Sequence, residues 1–463
     1  MKKMSISPDS YTFTIMLNGL AEYPTRPSAH ERALQLYHSM SRPNSPVEPQ
    51  IVHTNAVLKV CARCGDIDTM WDIVLKLPLS GLGAPNAITY TTLLNGIQGA
   101  HEVEEGRRVW AGILSRWNSG KLWVDEELAC AMGRVLLSGT KPEHWKEAFN
   151  VVEQVFGIKD PTSEEQEVNS GDQLYVEGTM KPINEIKELL QTPGDGDPNV
   201  RVPYVPPHLR GQTTRENPSS GSNSSTARPM PGNAVLSLVI KACTQLSEKE
   251  LARYYWKTLT APPYSVRPDM ENFHDLLRLL RESRSGPEAL DVLHAMLSCR
   301  GAAPTAKSFF IAMSCCKREG RGPGFPTAEK MLALMGEHRV RVDVKIVTMF
   351  LQCAVKTGIP TYWKSALKTA EDMFDLQGEL DKLVSLRAHG DLLETHVELA
   401  KWMHGIIDRL LETPDAPWGH GERTVFEQRK GVLVRLIEKF GWIAGGAEGG
   451  GRNWKAKAIR ENA

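Results

Sequence analysis

The sequence predicts an all-α chain: an α-solenoid of stacked helix-turn-helix repeats, interrupted by a disordered linker. Three features predict it: internal self-similarity, helical spacing of the apolar residues within each copy, and one long stretch that has neither. The segment TFTIMLNGL (12–20) returns as TYTTLLNGI (89–97), 77 residues later, and Pro8 and Pro85 are separated by the same interval. Pro49 divides that interval into 41 and 36 residues. A fixed period of this size is the mark of a repeat architecture.

Taken in order, the first unit follows Pro8-Asp9, and its second amphipathic segment holds Ala33, Leu34, Leu36, Tyr37 and Met40. The next opens at Thr54 and runs to Cys61, a third at Thr89, and a fourth after Val124-Asp125, with Ala148 and Phe149 in its second segment. Later markers are Pro268-Asp269, Pro304-Thr305 and Val342-Asp343, spaced by 36 and 38 residues. Behind them come Phe273, Leu276, Leu277 and Leu280, then Phe309, Phe310 and Met313. Apolar residues at i, i+3, i+4 and i+7 mean helices. Two helices of about a dozen residues fill a period near 35, and neither buries its apolar face alone, so consecutive pairs must stack.

About eight such units are expected, four in an N-terminal block (1–156) and four more degenerate ones in a second block (231–370). Between them, 157–230 holds Pro-Gly-Asp-Gly-Asp-Pro at 193 and a Ser/Asn/Gly run at 217, a composition too poor in apolar residues to offset the entropy of ordering. That linker is expected to let the two blocks move relative to each other. Residues 371–443 keep helical spacing, with Leu392, Leu393, Val397, Ala400 and Met403, and read as a helical cap. A flexible Gly-rich and basic tail (444–463) closes the chain.

Composition excludes several classes. Fifty-five Lys and Arg balance 55 Asp and Glu, so binding through overall charge is ruled out while a local basic groove is not. No apolar run is long enough to span a membrane. Eight scattered cysteines do not make a disulfide scaffold. Cys61 and Cys64 form a lone C-x-x-C without a second ligand pair, and Cys61, Cys243 and Cys316 share one repeat slot with Leu20 and Ile97. That slot reads as core, where a thiol serves as a small apolar group. No metal site, cofactor cradle or catalytic constellation is visible, so the chain is expected to be no enzyme.

The stretches TYTTLLNGI (89–97), HTNAVLKVCARCGDIDTMWDIV (53–74) and RPDMENFHDLLRLL (267–280) resemble the pentatricopeptide repeat motif. The resemblance implies an organellar, fungal-type mitochondrial RNA-binding protein that uses one repeat per base. Carried over position by position, it implies base-reading pairs at Thr14 with Gln50, Asn55 with Asn86, Thr91 with Asp125, Ser237 with Asp269, and His274 with Thr305. Thr or Ser with Asp resembles guanine-associated combinations, and Asn with Asn a pyrimidine-reading one. The His274/Thr305 and Phe310/Asp343 pairs fall outside the recognised set. The implied partner is single-stranded RNA, an organellar mRNA or rRNA, in the mitochondrial matrix. The implied work is RNA processing, stability, translation or small-subunit rRNA maturation. The alternative is a protein-binding scaffold or a structural subunit, for example one associated with the mitochondrial ribosome. No targeting segment is visible before the first repeat, so an N-terminally incomplete chain is expected.

Overall fold

The computed structural model describes residues 8–23, 28–42, 45, 47–161, 228–299, 301–319, 324–386, 390–414, 418–419 and 421–444. Most of the expected linker and nearly all of the basic tail lie outside them. Among the described residues all regular structure is helical. The residues group into two compact units, Met1–Leu246 with Arg253–Arg267, and Ser247–Ala252 with Pro268–Ala463.

The first unit is a stack of helical hairpins. They are α1 (Ser10–Glu22) with α2 (Ala29–Met40), α3 (Ile51–Cys64) with α4 (Ile67–Val74), α5 (Ala87–Ala100) with α6 (Val103–Asn118), and α7 (Glu126–Ser138) with α8 (Pro142–Phe156). Helix α9 (Asn233–Leu246) follows, then α10 (Lys249–Thr260), whose residues from Arg253 onward belong to this unit. Each first helix packs on the first helix of the next hairpin, and each second helix lies against its own partner and the following first helix. A first helix is therefore covered on three sides, which is why His53 through Leu58 are buried without a break in α3.

The helix starts are written in the sequence. Asp9, Asn86 and Asp125 each sit in extended backbone before a first helix and accept from the amide three residues on. That satisfies one of the donors a helix leaves unpaired. Helix α4 stops at eight residues, shorter than the dozen expected of a second helix, because Pro78 lies just downstream and disfavours helix before it.

Helical packing is continuous across the ends of the expected linker. Helix α9 packs directly on α7 and α8. The α9 start has a glycine, Gly232, in the capping place, and Glu126 of α7 supplies the missing acceptor. Its Oε1 accepts from the Gly232 amide at 2.9 Å and the Val235 amide at 3.1 Å. Gly133 allows close approach: a Cβ there would lie 2.4 Å from Leu238 Cδ2. Gly157, in left-handed conformation after α8, touches the Arg228 side chain, so the chain leaves and returns at one place. The stack therefore continues from α7 and α8 to α9. Glu126→Ala is expected to destabilise the first unit by about 1 kcal/mol, the worth of a lost cap. Hydrogen exchange should locate the loss at the opening amides of α9.

The second unit repeats the pattern with α11 (Met270–Glu282), α12 (Gly286–Ser298), α13 (Ala306–Glu319), α14 (Gly324–Glu337), α15 (Val344–Thr357) and α16 (Pro360–Met373). Helix α11 packs on α13 and α13 on α15, and Asp269 and Asp343 again cap. Beyond them come α17 (Leu376–Ser385), α18 (Gly390–Glu412) and α19 (Glu422–Ala444). Helix α18 lies on α15, where the next first helix would sit, and α19 covers α18. Met403, Ile406, Ile407 and Leu410 are buried in that closure.

Candidate nucleic-acid interface

First helices lie side by side, parallel and in register. Arg134 Nη2 donates to Asn95 Oδ1 at 3.3 Å, each the ninth residue of its helix, and Lys307 Nζ meets Glu271 Oε1 at 3.1 Å, each the second. Two positions recur at the shared face: the fifth residue of each first helix and the residue that caps the next one.

Asn55 and Asn86 are brought together. Asn55 Nδ2 donates to Asn86 Oδ1 at 3.2 Å, and the Thr89 hydroxyl is 2.8 Å from Asn55 Oδ1 and 3.0 Å from Asn86 Oδ1. Asn86 Oδ1 also accepts from the Thr89 amide, and the Thr89 hydroxyl accepts from the Asn86 amide. The same node forms around His274. Its Nε2 lies 2.9 Å from Ser308 Oγ, which accepts from the Thr305 amide at 3.1 Å and lies 3.3 Å from the Thr305 hydroxyl. Burial holds the His274 imidazole below its ordinary pKa, and the opposing pull of Glu271 is weaker, so the ring is neutral near pH 7.

The other candidates are placed less openly than expected. Thr91 is only 8% exposed, although the resemblance makes it one of a base-reading pair. Asn55 and His274 are similarly covered, at 9% and 2%. The reason is common to all three, since the fifth position faces the start of the next first helix. Asp125 is half-buried and its Oδ1 is committed to the Leu128 amide at 2.9 Å. Thr14 is half-buried, and its hydroxyl donates to the Ser10 carbonyl. Gln50 is exposed, and its amide donates to His53 Nδ1 at 3.0 Å. That leaves His53 Nε2 to donate to the Ser10 carbonyl, also at 3.0 Å. Ser237, half-buried on α9, and Asp269, exposed at the start of α11, lie in different units.

Two features escaped the sequence reading. The second residues of α1, α3 and α5 are Tyr11, Val52 and Ile88, 72, 53 and 55% exposed, forming an apolar file beside the polar fifth positions. An apolar residue out of phase with the core stripe, repeated in three units, was the available signal. The other feature is polarity along the helices. In the first unit, the second halves of the first helices carry Lys59, Arg63, Arg134 and Lys241 against Glu22 alone, while acids gather at the starts as Asp9, Asp125, Glu126 and Glu127. Cys61 is fully buried and burial pushes its thiol up to about 12, so it is no metal-binding thiolate at neutral pH. No cluster of metal-ligating residues occurs among the described residues.

Hairpins with this period and in-register first helices find relatives in sequence. No family model matches the chain. The chain is 20% identical over 329 residues to pentatricopeptide repeat-containing protein 2, mitochondrial, of Schizosaccharomyces pombe, covering 69% of this chain and 63% of that protein. It is 28% identical over 116 residues to pentatricopeptide repeat-containing protein 1, mitochondrial, of Rattus norvegicus, covering 25% of this chain and 17% of that protein. The chain is thus similar to pentatricopeptide repeat proteins. It spans less than two thirds of the length of either relative. Among solved structures, a pentatricopeptide repeat protein in complex with an 18-nucleotide psaJ RNA element aligns over 100% of this chain and 52% of its own, at 14% identity and a TM-score of 0.49. The chain has no helix, among its described residues, long and apolar enough to cross a membrane.

Proposed function

We propose that this chain is a pentatricopeptide repeat protein that binds single-stranded RNA along the first-helix face and acts as a binder rather than a catalyst. The observation that carries the reading is the polarity of that face in the first unit. Amide and hydroxyl groups at the fifth and capping positions sit at the helix starts, and Lys59, Arg63, Arg134 and Lys241 lie on the second halves of the same helices. Base edges are read by hydrogen bonds and phosphates are held by cations, so the two halves of the face suit the two sides of a strand. The relatives are named as mitochondrial proteins, which supports a mitochondrial location, with work in RNA processing, stability, translation or rRNA maturation.

Binding of labelled single-stranded RNA, drawn from a mitochondrial transcript pool, tests this across a salt series. Each phosphate contact on a single strand contributes about 0.7 to the slope of log affinity against log salt. The double change Arg134→Glu and Lys241→Glu should weaken all RNAs and flatten that slope by about 1.4. A wild-type chain that binds no RNA in the pool, or binds with no dependence on salt, would overturn the proposal.

A further inference from the structure

We propose that Phe310 is a base-stacking platform: the second unit holds a nucleotide of single-stranded RNA by the face of its base, without regard to which base it is. This rests on the RNA-binding reading above and adds a site of a different kind to it. Phe310 is the fifth residue of α13, the register that Asn55, Thr91, Ser237 and His274 occupy elsewhere. Its ring reaches the surface, 36% exposed, whereas the adjacent Phe309 fills the core and is fully buried.

The groups in the neighbouring registers are spent. The Thr348 hydroxyl, fifth residue of α15, donates to the Val344 carbonyl at 2.9 Å. The Ser314 hydroxyl, one turn beyond Phe310, donates to the Ile311 carbonyl. His274 in α11 gives its Nε2 to Ser308. The fifth position of α13 itself offers no hydrogen-bonding group to a base edge, and a flat apolar face stands there instead.

Cations frame that face. Lys307 lies one turn before Phe310 on the same helix, paired with Glu271, and Lys345 is the exposed second residue of α15. Lys317, Arg318 and Lys356 occupy the last turns of α13 and α15. An aromatic ring among cations is the arrangement that holds single strands irrespective of sequence, since every base has a π face. A protein-docking surface would need a contiguous apolar patch. The other large exposed apolar residues of this unit, Ile359, Val384, Leu386, Leu392, Val425 and Val432, all lie outside α11, α13 and α15.

The test compares Phe310→Leu and Phe310→Trp in the full chain, using oligo(A), oligo(U) and oligo(C) of one length. Leucine keeps the apolar character but removes the ring, and should weaken binding to all three by about 5- to 150-fold, the range of a lost base stack. Tryptophan should bind at least as well as the wild type. Thermal unfolding should shift little in either variant, because both substitutes are apolar and the site is only partly covered. A leucine variant that binds like the wild type, or loses affinity for a single base only, would overturn the stacking role. So would unchanged RNA binding together with loss of a co-purifying protein. A wild-type chain that binds none of the oligonucleotides would instead sink the RNA reading on which this one rests.

Discussion

Asp125→Asn should leave the fold intact and weaken discrimination in favour of guanine at one position of the bound RNA by about 1–3 kcal/mol, the worth of a base-specific contact. The structure makes this substitution cleaner than its neighbours. Asp125 Oδ1 caps α7 through the Leu128 amide, and asparagine caps as well as aspartate does. Stability should therefore not move. The change removes the carboxylate as an acceptor for the guanine edge, whereas adenine offers no donor at the corresponding edge. RNAs lacking guanine at that position should bind as before, because phosphate contacts elsewhere are untouched. Asp125→Ala would confuse the result by deleting the cap, at about 1 kcal/mol. Binding to a set of oligonucleotides varied one position at a time decides the matter. Unchanged selectivity would remove Asp125, and Thr91 with it, from the list of base-reading residues.

Tyr255→Ala should destabilise the first unit by about 3–5 kcal/mol, the range for a buried aromatic truncated in a close-packed core. Tyr255 is fully buried and stacks on Phe149 of α8, with ring centroids 5.2 Å apart and planes 7° from parallel. Its hydroxyl is buried with no hydrogen-bond partner among the described residues. Tyr255→Phe should consequently be neutral or mildly stabilising, because it removes a polar group that was desolvated without compensation. Urea unfolding of the two variants checks both. A phenylalanine variant as unstable as the alanine one would show that the hydroxyl is satisfied after all.

Much of this architecture was legible because the repeat writes its own punctuation. Pro8-Asp9 and Pro268-Asp269 mark helix starts, and Asp9 and Asp269 are the observed caps. The slot of Cys61, Cys243 and Cys316 reads as core, and all three are buried. Leu20 in the same slot is half-buried, because no preceding hairpin covers α1 in the structure described. What the sequence did not disclose depends on contacts between residues far apart in it. Periodicity within α9 contains nothing to announce that Glu126, 106 residues before Gly232, completes its start. Composition likewise contains nothing to announce that Gly133 lets Leu238, from beyond the expected linker, pack closely on α7. The candidate interface was legible as a list of positions rather than as an environment. The resemblance picks out the fifth residue, but whether it is open, as at Phe310, or tucked against the next helix, as at His274, is decided by side chains one repeat away.

The node joining Asn55, Asn86 and Thr89 bears on how such a chain changes over generations. The residue that would read a base also opens the next helix, so its vocabulary is confined to short side chains with an oxygen in the right place. Asn86, Asp125, Asp269 and Asp343 obey that grammar, whereas Gly232 departs from it only because Glu126 completes the sentence from a neighbouring helix. A lineage drifting toward a new RNA can therefore exchange letters freely within this small alphabet. To step outside it, a second, distant substitution must first take over the structural duty, which makes large shifts in target rarer than small ones.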